Sequence, residues 1–288
     1  MTDMSLSPQA PWGGSITMLR IAIGVSLLFL LLGFVSVVWT PYPVANLDMV
    51  SAMQDPSGTH WLGTDQLGRD VVSLIMKGIL TSFVVAAVAV AIGALIGVPL
   101  GLGAALLGPS ADLVVNGIGA YVMMLPAFVV AVLLATVFGP SAATLMVGIG
   151  IAGIVPLALA TRHAVVEAQG QDYVAAARLA GASGLDLVRH HTLHIIVGWV
   201  GAQAVAQLSF GVIAEAALSY IGLGVQPPAT SLGVLLHDAQ SFGLAKPLLV
   251  IVPGLVIMLI VLALNLTSRQ LRGTVSGSLR DEDDRGAA

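Results

Sequence analysis

Long runs of apolar residues, separated by short polar stretches, dominate the pattern along this chain of 288 residues. A helix that crosses a membrane needs about 20 consecutive, mainly apolar residues, because it must span about 30 Å of hydrocarbon. Six runs reach this length, so the pattern predicts an all-α fold, a polytopic bundle of six transmembrane helices. The predicted spans are residues 21–39, 79–107, 113–138, 142–160, 195–218 and 248–266.

The composition supports a membrane protein. Hydrophobic residues make up 57% of the chain, charged residues 9%, and the mean hydropathy is +0.97, whereas a soluble domain carries about 25% charged residues. So few charges cannot cover a surface that faces water, and we expect the lipid bilayer as a partner. No basic cluster indicates nucleic-acid binding. The absence of cysteine excludes disulfides and thiol chemistry.

The cationic residues predict the orientation of the spans. Arg20 precedes the first span, which is longer than the core of a signal peptide and is therefore expected to remain as an anchor. With the N-terminus inside, both termini are cytoplasmic and most cations lie in inner segments, as is usual for cytoplasmic loops. The inner set is Arg20, Arg162, Arg178, Arg189, Arg269, Arg272, Arg280 and Arg285, and the outer set is Arg69, Lys77 and Lys246.

One charged interruption between spans has the pattern of a docking element. Residues 172–191 read DYVAAARLAGASGLDLVRHH, which predicts a short Ala-rich helix, a break at Gly181 and a second short helix that begins at Ser183. Asp186 lies three residues after Ser183, the spacing of a capping box. A helix–glycine–helix elbow with one small face and one cationic face is not needed to join two spans, so we expect it to bind another protein.

This stretch resembles the EAA loop of importer-type ABC transporter permeases, which implies a type I importer fold. The resemblance rests on three consecutive alanines, a glycine four residues after them and the downstream Leu193. Ala175 stands where many members have Glu, and His194 stands where a Pro is expected. By this resemblance the ATPase-coupling residues are Tyr173, Ala175, Ala176, Ala177, Arg178, Gly181, Ala182 and Ser183.

Two further segments resemble the second-permease branch of the peptide and nickel importers. The first is HWLGTDQLGRDVVS at residues 60–73, where Thr64 or Asp65 is expected to cap a short helix and Arg69 to pair with an aspartate. The second is EAALSYIGLGVQPPATSLGVLLHDA at residues 215–239. Its glycines and prolines predict a re-entrant or surface-lying loop, which must rest on protein or line a wet cavity.

The resemblance implies a subunit that moves peptides across the bacterial inner membrane without binding ATP. The two lysines, Lys77 and Lys246, are followed by Gly and Pro, so the phosphate-binding Gly-x4-Gly-Lys-Ser/Thr motif is absent. We expect no cofactor on this chain, with ATP and Mg on two partner ATPase subunits. A second homologous permease and an extracytoplasmic substrate-binding protein complete the implied assembly. Nickel, glutathione and opine-like compounds remain alternative substrates.

The chain divides accordingly into four parts. They are a cytoplasmic N-terminus (1–20), the first span with its outer loop (21–78), a core of five spans that includes the coupling elbow (79–268, elbow 167–194), and a cytoplasmic tail (269–288).

Three polar residues in the fifth span are candidates for the substrate pathway. Glu215 is the acid placed well inside a span, where a carboxylate is costly and commonly functional; hydrogen bonding to Gln207 or Ser219 is the structural alternative. Gln203 and Gln207 share a helix face and either line the pathway or join helices. In the second span, Gly93, Gly97 and Gly101 form a stripe at four-residue steps, which favours close packing within the chain over contact with a partner permease.

Other function classes fit the residues less well. Gly181–Gly184 matches the Gly-x-Ser-Gly of intramembrane serine proteases, but Ser183 falls in a loop, where a helix-capping role is favoured. A secondary transporter would often show repeated halves, and no convincing repeat is found. His190 and His194 have a helical metal-ligand spacing without a neighbouring carboxylate, so no metal site is predicted there. His60 and His237 are both outer, but nothing in the sequence brings them together.

Overall fold

A computed structural model describes residues 16–124, 126–170, 181 and 193–286. These residues contain eight α-helices and no strand, which confirms the all-α prediction. The helices are α1 (Ile16–Val38), α2 (Val71–Leu106), α3 (Pro109–Met124), α4 (Ala127–Phe138), α5 (Ala142–Gln169), α6 (Leu193–Tyr220), α7 (Leu232–Ala239) and α8 (Leu248–Gly286).

Five of these helices, α1, α2, α5, α6 and α8, are long and apolar enough to cross a membrane. The third predicted span is different, because residues 113–138 form parts of two helices rather than one. Pro126 is the N-cap of α4. A proline lacks the N–H of a helical hydrogen bond and disfavours helical backbone at the residue before it, which explains the break. The helix α8 also continues to Gly286, so most of the predicted tail is helical.

Helix α2 lies at the centre of the bundle and packs against α1, α3, α5, α6 and α7. Its first half contributes Leu74, Ile79 and Phe83 to an apolar core shared with α6, α7 and α8. Its middle contributes Val85 and Ala89 to a second core shared with α4, α5 and α6. The position of α2 therefore depends on nearly every other helix.

The glycine stripe on α2 packs against α5, which confirms that it serves contact within the chain. A Cβ added at Gly97 would collide with the carbonyl oxygen of Ile154, and one added at Gly101 would lie 2.8 Å from the Cβ of Thr161. Gly93 is tight as well, since its Cβ would lie 3.1 Å from the carbonyl oxygen of Gly150. The two backbones approach so closely that a side chain at Gly97 or Gly101 would force them apart.

Apart from the break between α3 and α4, the connections between the helices lie at two ends of the bundle. We call the end that holds residues 39–70, 139–141 and 221–247 the loop end, and the opposite end, which holds residues 107–108 and the 170–193 connection, the elbow end. Arg69 and Lys246 lie at the loop end, whereas Arg162, Arg269 and Arg272 lie in the elbow halves of α5 and α8. The side of the membrane that each end faces stays a prediction.

Candidate functional sites

A buried carboxylate joins three helical elements near the loop end. Glu215 of α6 is fully buried. Its Oε1 accepts a hydrogen bond from the Ser219 hydroxyl at 2.7 Å, and its Oε2 accepts one from the Ser82 hydroxyl of α2 at 2.6 Å. The predicted bond to Ser219 is therefore present, and the second partner is Ser82 rather than Gln207. The pathway role of Glu215 stays a prediction, and this conformation places its carboxylate between helices.

Both serine hydroxyls extend the cluster to the re-entrant segment, residues 221–239. The Ser82 Oγ accepts from the backbone N–H of Leu232, in the first turn of α7, at 3.4 Å. The Ser219 Oγ accepts from the backbone N–H of Val225 at 3.3 Å. Each carboxylate oxygen is thus connected through one hydroxyl to one backbone N–H of the re-entrant segment. We call Glu215, Ser82 and Ser219 the carboxylate cluster.

Small residues allow the re-entrant segment to lie directly on α2 and α6. A Cβ added at Gly78 of α2 would lie 3.1 Å from the backbone N of Leu232. One added at Gly233 of α7 would lie 2.7 Å from the Cα of Ala216 in α6. The side chain of Ser231 caps α7 by accepting from the N–H of Val234. This packing confirms the prediction that the irregular backbone after α6 rests on protein.

An ion-pair network crosses the surface of the loop end. Asp65 accepts from the backbone N–H groups of Leu67 and Arg69 and pairs with the Arg69 guanidinium at 2.7 Å. Arg69 also lies 3.8 Å from Asp238 of α7. The predicted Arg69–aspartate pair is confirmed, and a second aspartate joins it. Burial raises the pKa of Asp238, although the Arg69 charge acts in the opposite direction.

The helix cap in this region is Asp70, not Thr64 or Asp65. The Asp70 side chain accepts from the N–H of Ser73 at 2.9 Å and so caps α2. Residues 64–69 form a loop with a turn rather than the expected short helix, and the Asp65 side chain holds this loop by accepting the backbone N–H groups of Leu67 and Arg69. The Asp70 carboxylate also binds His60 Nδ1 at 3.0 Å.

The histidines predicted to be outer have separate partners. While His60 binds Asp70, the Nδ1 of His237 binds the carbonyl oxygen of Tyr220 at 2.7 Å. Among the residues that the structure describes, no group of three or more His, Asp or Glu side chains is arranged to hold a metal ion. His190 lies outside the described residues.

The glutamines on α6 point to different surroundings. Gln203 Oε1 accepts from the Arg272 guanidinium of α8 at 2.6 Å, which joins two helices. Both residues line an open cleft in the elbow half, together with His163, Trp199, Met123 and Pro156. Gln207 is half-buried. Gln203 therefore joins two helices at the wall of a cleft, and its pathway role stays a prediction.

The structure describes one residue of the central elbow. Gly181, where the sequence predicts a break between two helices, has a φ of +93°, in the left-handed region that glycine adopts readily. Tyr173, Ala175, Ala176, Ala177, Arg178, Ala182 and Ser183 lie outside the described residues, as does the protease alternative that depends on Ser183. Helix α5 ends at Gln169 and α6 begins at Leu193, so the elbow connects two long helices at one end of the bundle.

Sequence reasoning missed Ser82, Asp70 and Asp238. The signal for Ser82 was its place in a stripe of small residues on α2, four residues after Gly78 and four before Ala86. Asp70 carries the ordinary N-cap signal, an aspartate before an apolar helix whose third residue donates its N–H. The partnership of Asp238 with Arg69 had no local signal, because the two residues lie far apart along the chain.

Known proteins match this chain over most of its length. Residues 97–275, more than half of the chain, match the family described as binding-protein-dependent transport system inner membrane component. The dipeptide transport system permease protein DppC of Alkalihalophilus pseudofirmus is 28% identical over 252 residues, covering 88% of this chain and 83% of the relative. The glutathione transport system permease protein GsiD of Pectobacterium atrosepticum is 31% identical over 258 residues, covering 88% and 86%.

A nickel permease and a solved transporter structure are also similar. The nickel transport system permease protein NikC of Escherichia coli is 27% identical over 253 residues, covering 88% of this chain and 91% of the relative. An inward-facing structure of the MetNI methionine ABC transporter matches with a TM-score of 0.52 at 17% identity, covering 69% of this chain and 96% of that chain. At this identity the likeness shows the fold alone. The chain therefore belongs to the inner-membrane components of binding-protein-dependent transport systems and is a multi-pass permease subunit of an ABC importer.

Proposed function

We propose that this permease forms half of a passage for small peptides, beside a second homologous permease. In this proposal two ATPase subunits bind at the elbow end, and a substrate-binding protein delivers its cargo at the loop end. The observation that carries the proposal is the difference between the two ends of one helical bundle. One end has a small-residue elbow around Gly181, and the other has a folded layer of loops.

The residues of the elbow support ATPase binding. The left-handed backbone at Gly181 permits a sharp turn between the two short helices that the sequence predicts. Helices commonly bind in grooves of a partner, and the alanines beside Gly181 would let an ATPase groove approach the backbone closely. Movement of the elbow would reach both α5 and α6, because the elbow connects their ends.

The loop end supports binding of a soluble partner. Met49, Val50, Trp61 and Leu244 are strongly exposed, yet they lie on structured loops outside the long apolar helices. Exposed apolar side chains grouped on one surface commonly mark a protein interaction site. Ionic contacts hold these loops: Lys246 pairs with Asp55, and Asp65 pairs with Arg69. Exposed apolar side chains on loops held in this way support contact with a substrate-binding protein.

Transport by the reconstituted complex tests this function. The permease would be purified from its native membrane with its ATPases and second permease, placed in proteoliposomes and supplied with the binding protein of its own system. We expect ATP-dependent uptake of labelled dialanine. Uptake of nickel ions or glutathione in place of dialanine would assign one of the alternative substrates. Two results would contradict the proposal: no ATPase subunits purify with the permease, or uptake proceeds without ATP.

Single cysteines test which end faces the cytoplasm. The chain has no native cysteine, so one introduced thiol gives an unambiguous signal. We expect an impermeant thiol reagent on intact cells to label S57C at the loop end and not S183C in the elbow. Permeabilised cells supply the control, because both variants should then react. Labelling of S183C alone on intact cells would reverse the orientation.

A further inference from the structure

We propose that the Glu215 carboxylate positions the re-entrant segment, residues 221–239, for contact with the loaded binding protein. The inference rests on the proposed function, because it assigns a delivery role to this segment. Glu215 would act through Ser82 and Ser219 rather than by touching the cargo. It is therefore a positioning residue of the loop end.

The carboxylate cluster is buried, so Glu215 contacts other parts of the protein rather than the solvent. Glu215 and Ser82 are fully buried, and Ser219 is 2% exposed. Burial of a carboxylate costs free energy unless hydrogen bonds compensate. The two serine hydroxyls supply those bonds at 2.6 and 2.7 Å. One oxygen binds a serine of the neighbouring helix α2, and the other binds a serine of α6 itself. These contacts indicate a structural role for the buried carboxylate.

The direction of the hydrogen bonds makes the carboxylate specific. Each serine donates its proton to Glu215 and accepts a backbone N–H with the same oxygen. This arrangement requires that both terminal atoms of the residue 215 side chain act as hydrogen-bond acceptors. A glutamine would present an NH₂ group to one serine, so that this hydroxyl proton would lose its acceptor. The fixed positions of the N–H groups of Val225 and Leu232 therefore depend on the carboxylate.

The acceptor oxygens of Glu215 also suit the start of α7. The N–H of Leu232 belongs to the first turn of this helix and reaches Glu215 through the Ser82 hydroxyl. The first N–H groups of a helix have no partner within the helix and need acceptors outside it. Helix α7 carries Asp238 near its other end, where it approaches Arg69 of the first loop. A shift of α7 would thus alter the ionic surface of the loop end.

The test distinguishes a role of Glu215 in contact with the binding protein from a role inside the passage. In reconstituted complexes, ATP hydrolysis is measured as the binding protein, loaded with dialanine, is increased. For Glu215→Gln we expect the concentration that gives half-maximal stimulation to rise about fivefold to tenfold, the effect of losing one buried hydrogen bond. The maximal stimulated rate should be retained at saturation. Ser82→Ala should shift the curve in the same direction.

A neighbouring residue provides the matched control. Thr81 lies beside Ser82 on α2, but its hydroxyl binds the carbonyl oxygen of Lys77 in the same helix and no other group among the residues that the structure describes. Thr81→Ala should leave the stimulation curve unchanged. If Glu215→Gln fails to assemble, Ser82→Ala decides the question.

Three results would overturn the proposal. An unchanged half-maximal concentration in both variants would remove the delivery role. A lowered maximal rate with an unchanged half-maximal concentration would place Glu215 in the passage. An equal rise of the half-maximal concentration in Thr81→Ala would show that the effect comes from general destabilisation of the protein. If the wild type itself shows no stimulation by the binding protein, the proposed function fails instead.

Discussion

The two halves of α2 are held in place by different physical means. In the loop half, Asp70, Ser73 and Ser82 bind other residues through directed hydrogen bonds. In the elbow half, Gly97 and Gly101 bring the backbone of α2 directly against that of α5. The loop half is therefore sensitive to the chemistry of single side chains, whereas the elbow half is sensitive to their size. One helix is thus held by directed hydrogen bonds at one end and by close backbone packing at the other.

Disturbing the close packing of α2 against α5 should give the largest loss of stability. The Cβ of Gly101→Ala would meet the backbone of Ala158 and the Cβ of Thr161, neither of which can rotate away. We expect a net loss of about 2 kcal/mol, since overpacking outweighs the better helix propensity of alanine. Thermal unfolding of the purified protein in detergent measures it.

Gly103→Ala is the control on the same helix, because its Cβ would lie 3.8 Å from the nearest atom, in the Leu107 side chain. This variant should be neutral or slightly more stable. Equal destabilisation by the two substitutions would contradict close packing of α2 against α5.

Removing the cap of α2 should give a smaller loss in the loop half. Asp70→Ala deletes the acceptor for the N–H of Ser73 and for His60. A lost N-cap costs about 1 kcal/mol. The same unfolding assay measures it, with Asp48→Ala as control. Asp48 caps a short 3-10 helix at the surface, so its removal should matter less. An unchanged melting temperature for Asp70→Ala would refute the assignment of Asp70 as the cap of α2.

These two regions also show what the sequence can predict. The stripe of glycines on α2 indicated close packing, because the spacing places all three on one face. The partner helix could not be predicted, since nothing local selects α5. Glu215 and Ser219 lie four residues apart on one helix, so their bond was foreseeable. Ser82, 133 residues away, could be found only from the tertiary structure.

The break in the third span shows a different limit. Pro126 lies in an apolar run long enough for one span, and the prolines of α2, α5 and α8 remain inside continuous helices. Hydropathy alone therefore did not indicate which proline interrupts its helix. The elbow depended on local residue types, and its one described residue, Gly181, has the expected left-handed backbone.

The smallest effect concerns pH and the loop end. Burial raises the pKa of Asp238 above its ordinary value of 3.8, so the folded protein keeps this proton to a higher pH than the unfolded chain does. The resulting contribution to stability is present below pH 3.8 and is lost as the pH rises through the folded-state pKa. Asp238→Asn should remove that loss. The melting temperature of the variant minus that of the wild type should therefore increase as the pH is raised.

Asp55→Asn is the control for this measurement, because the Asp55 side chain is 81% exposed. Its melting temperature should follow the wild type above pH 3.8. A wild-type curve parallel to that of Asp238→Asn throughout would show that desolvation does not govern this carboxyl group.

The central claim is that the elbow end transmits the action of the ATPases, and Gly181→Val tests it most directly. Valine at a φ of +93° is strained by roughly 1–2 kcal/mol, while the apolar spans are untouched. Substrate-stimulated ATP hydrolysis and retention of the ATPase subunits are measured in reconstituted complexes, with Gly181→Asn as the control that better tolerates left-handed backbone. We expect Gly181→Val to reach the membrane, bind its ATPases weakly and lose stimulation, and Gly181→Asn to retain more of both. Unchanged stimulation and subunit retention in Gly181→Val would contradict the role of the elbow.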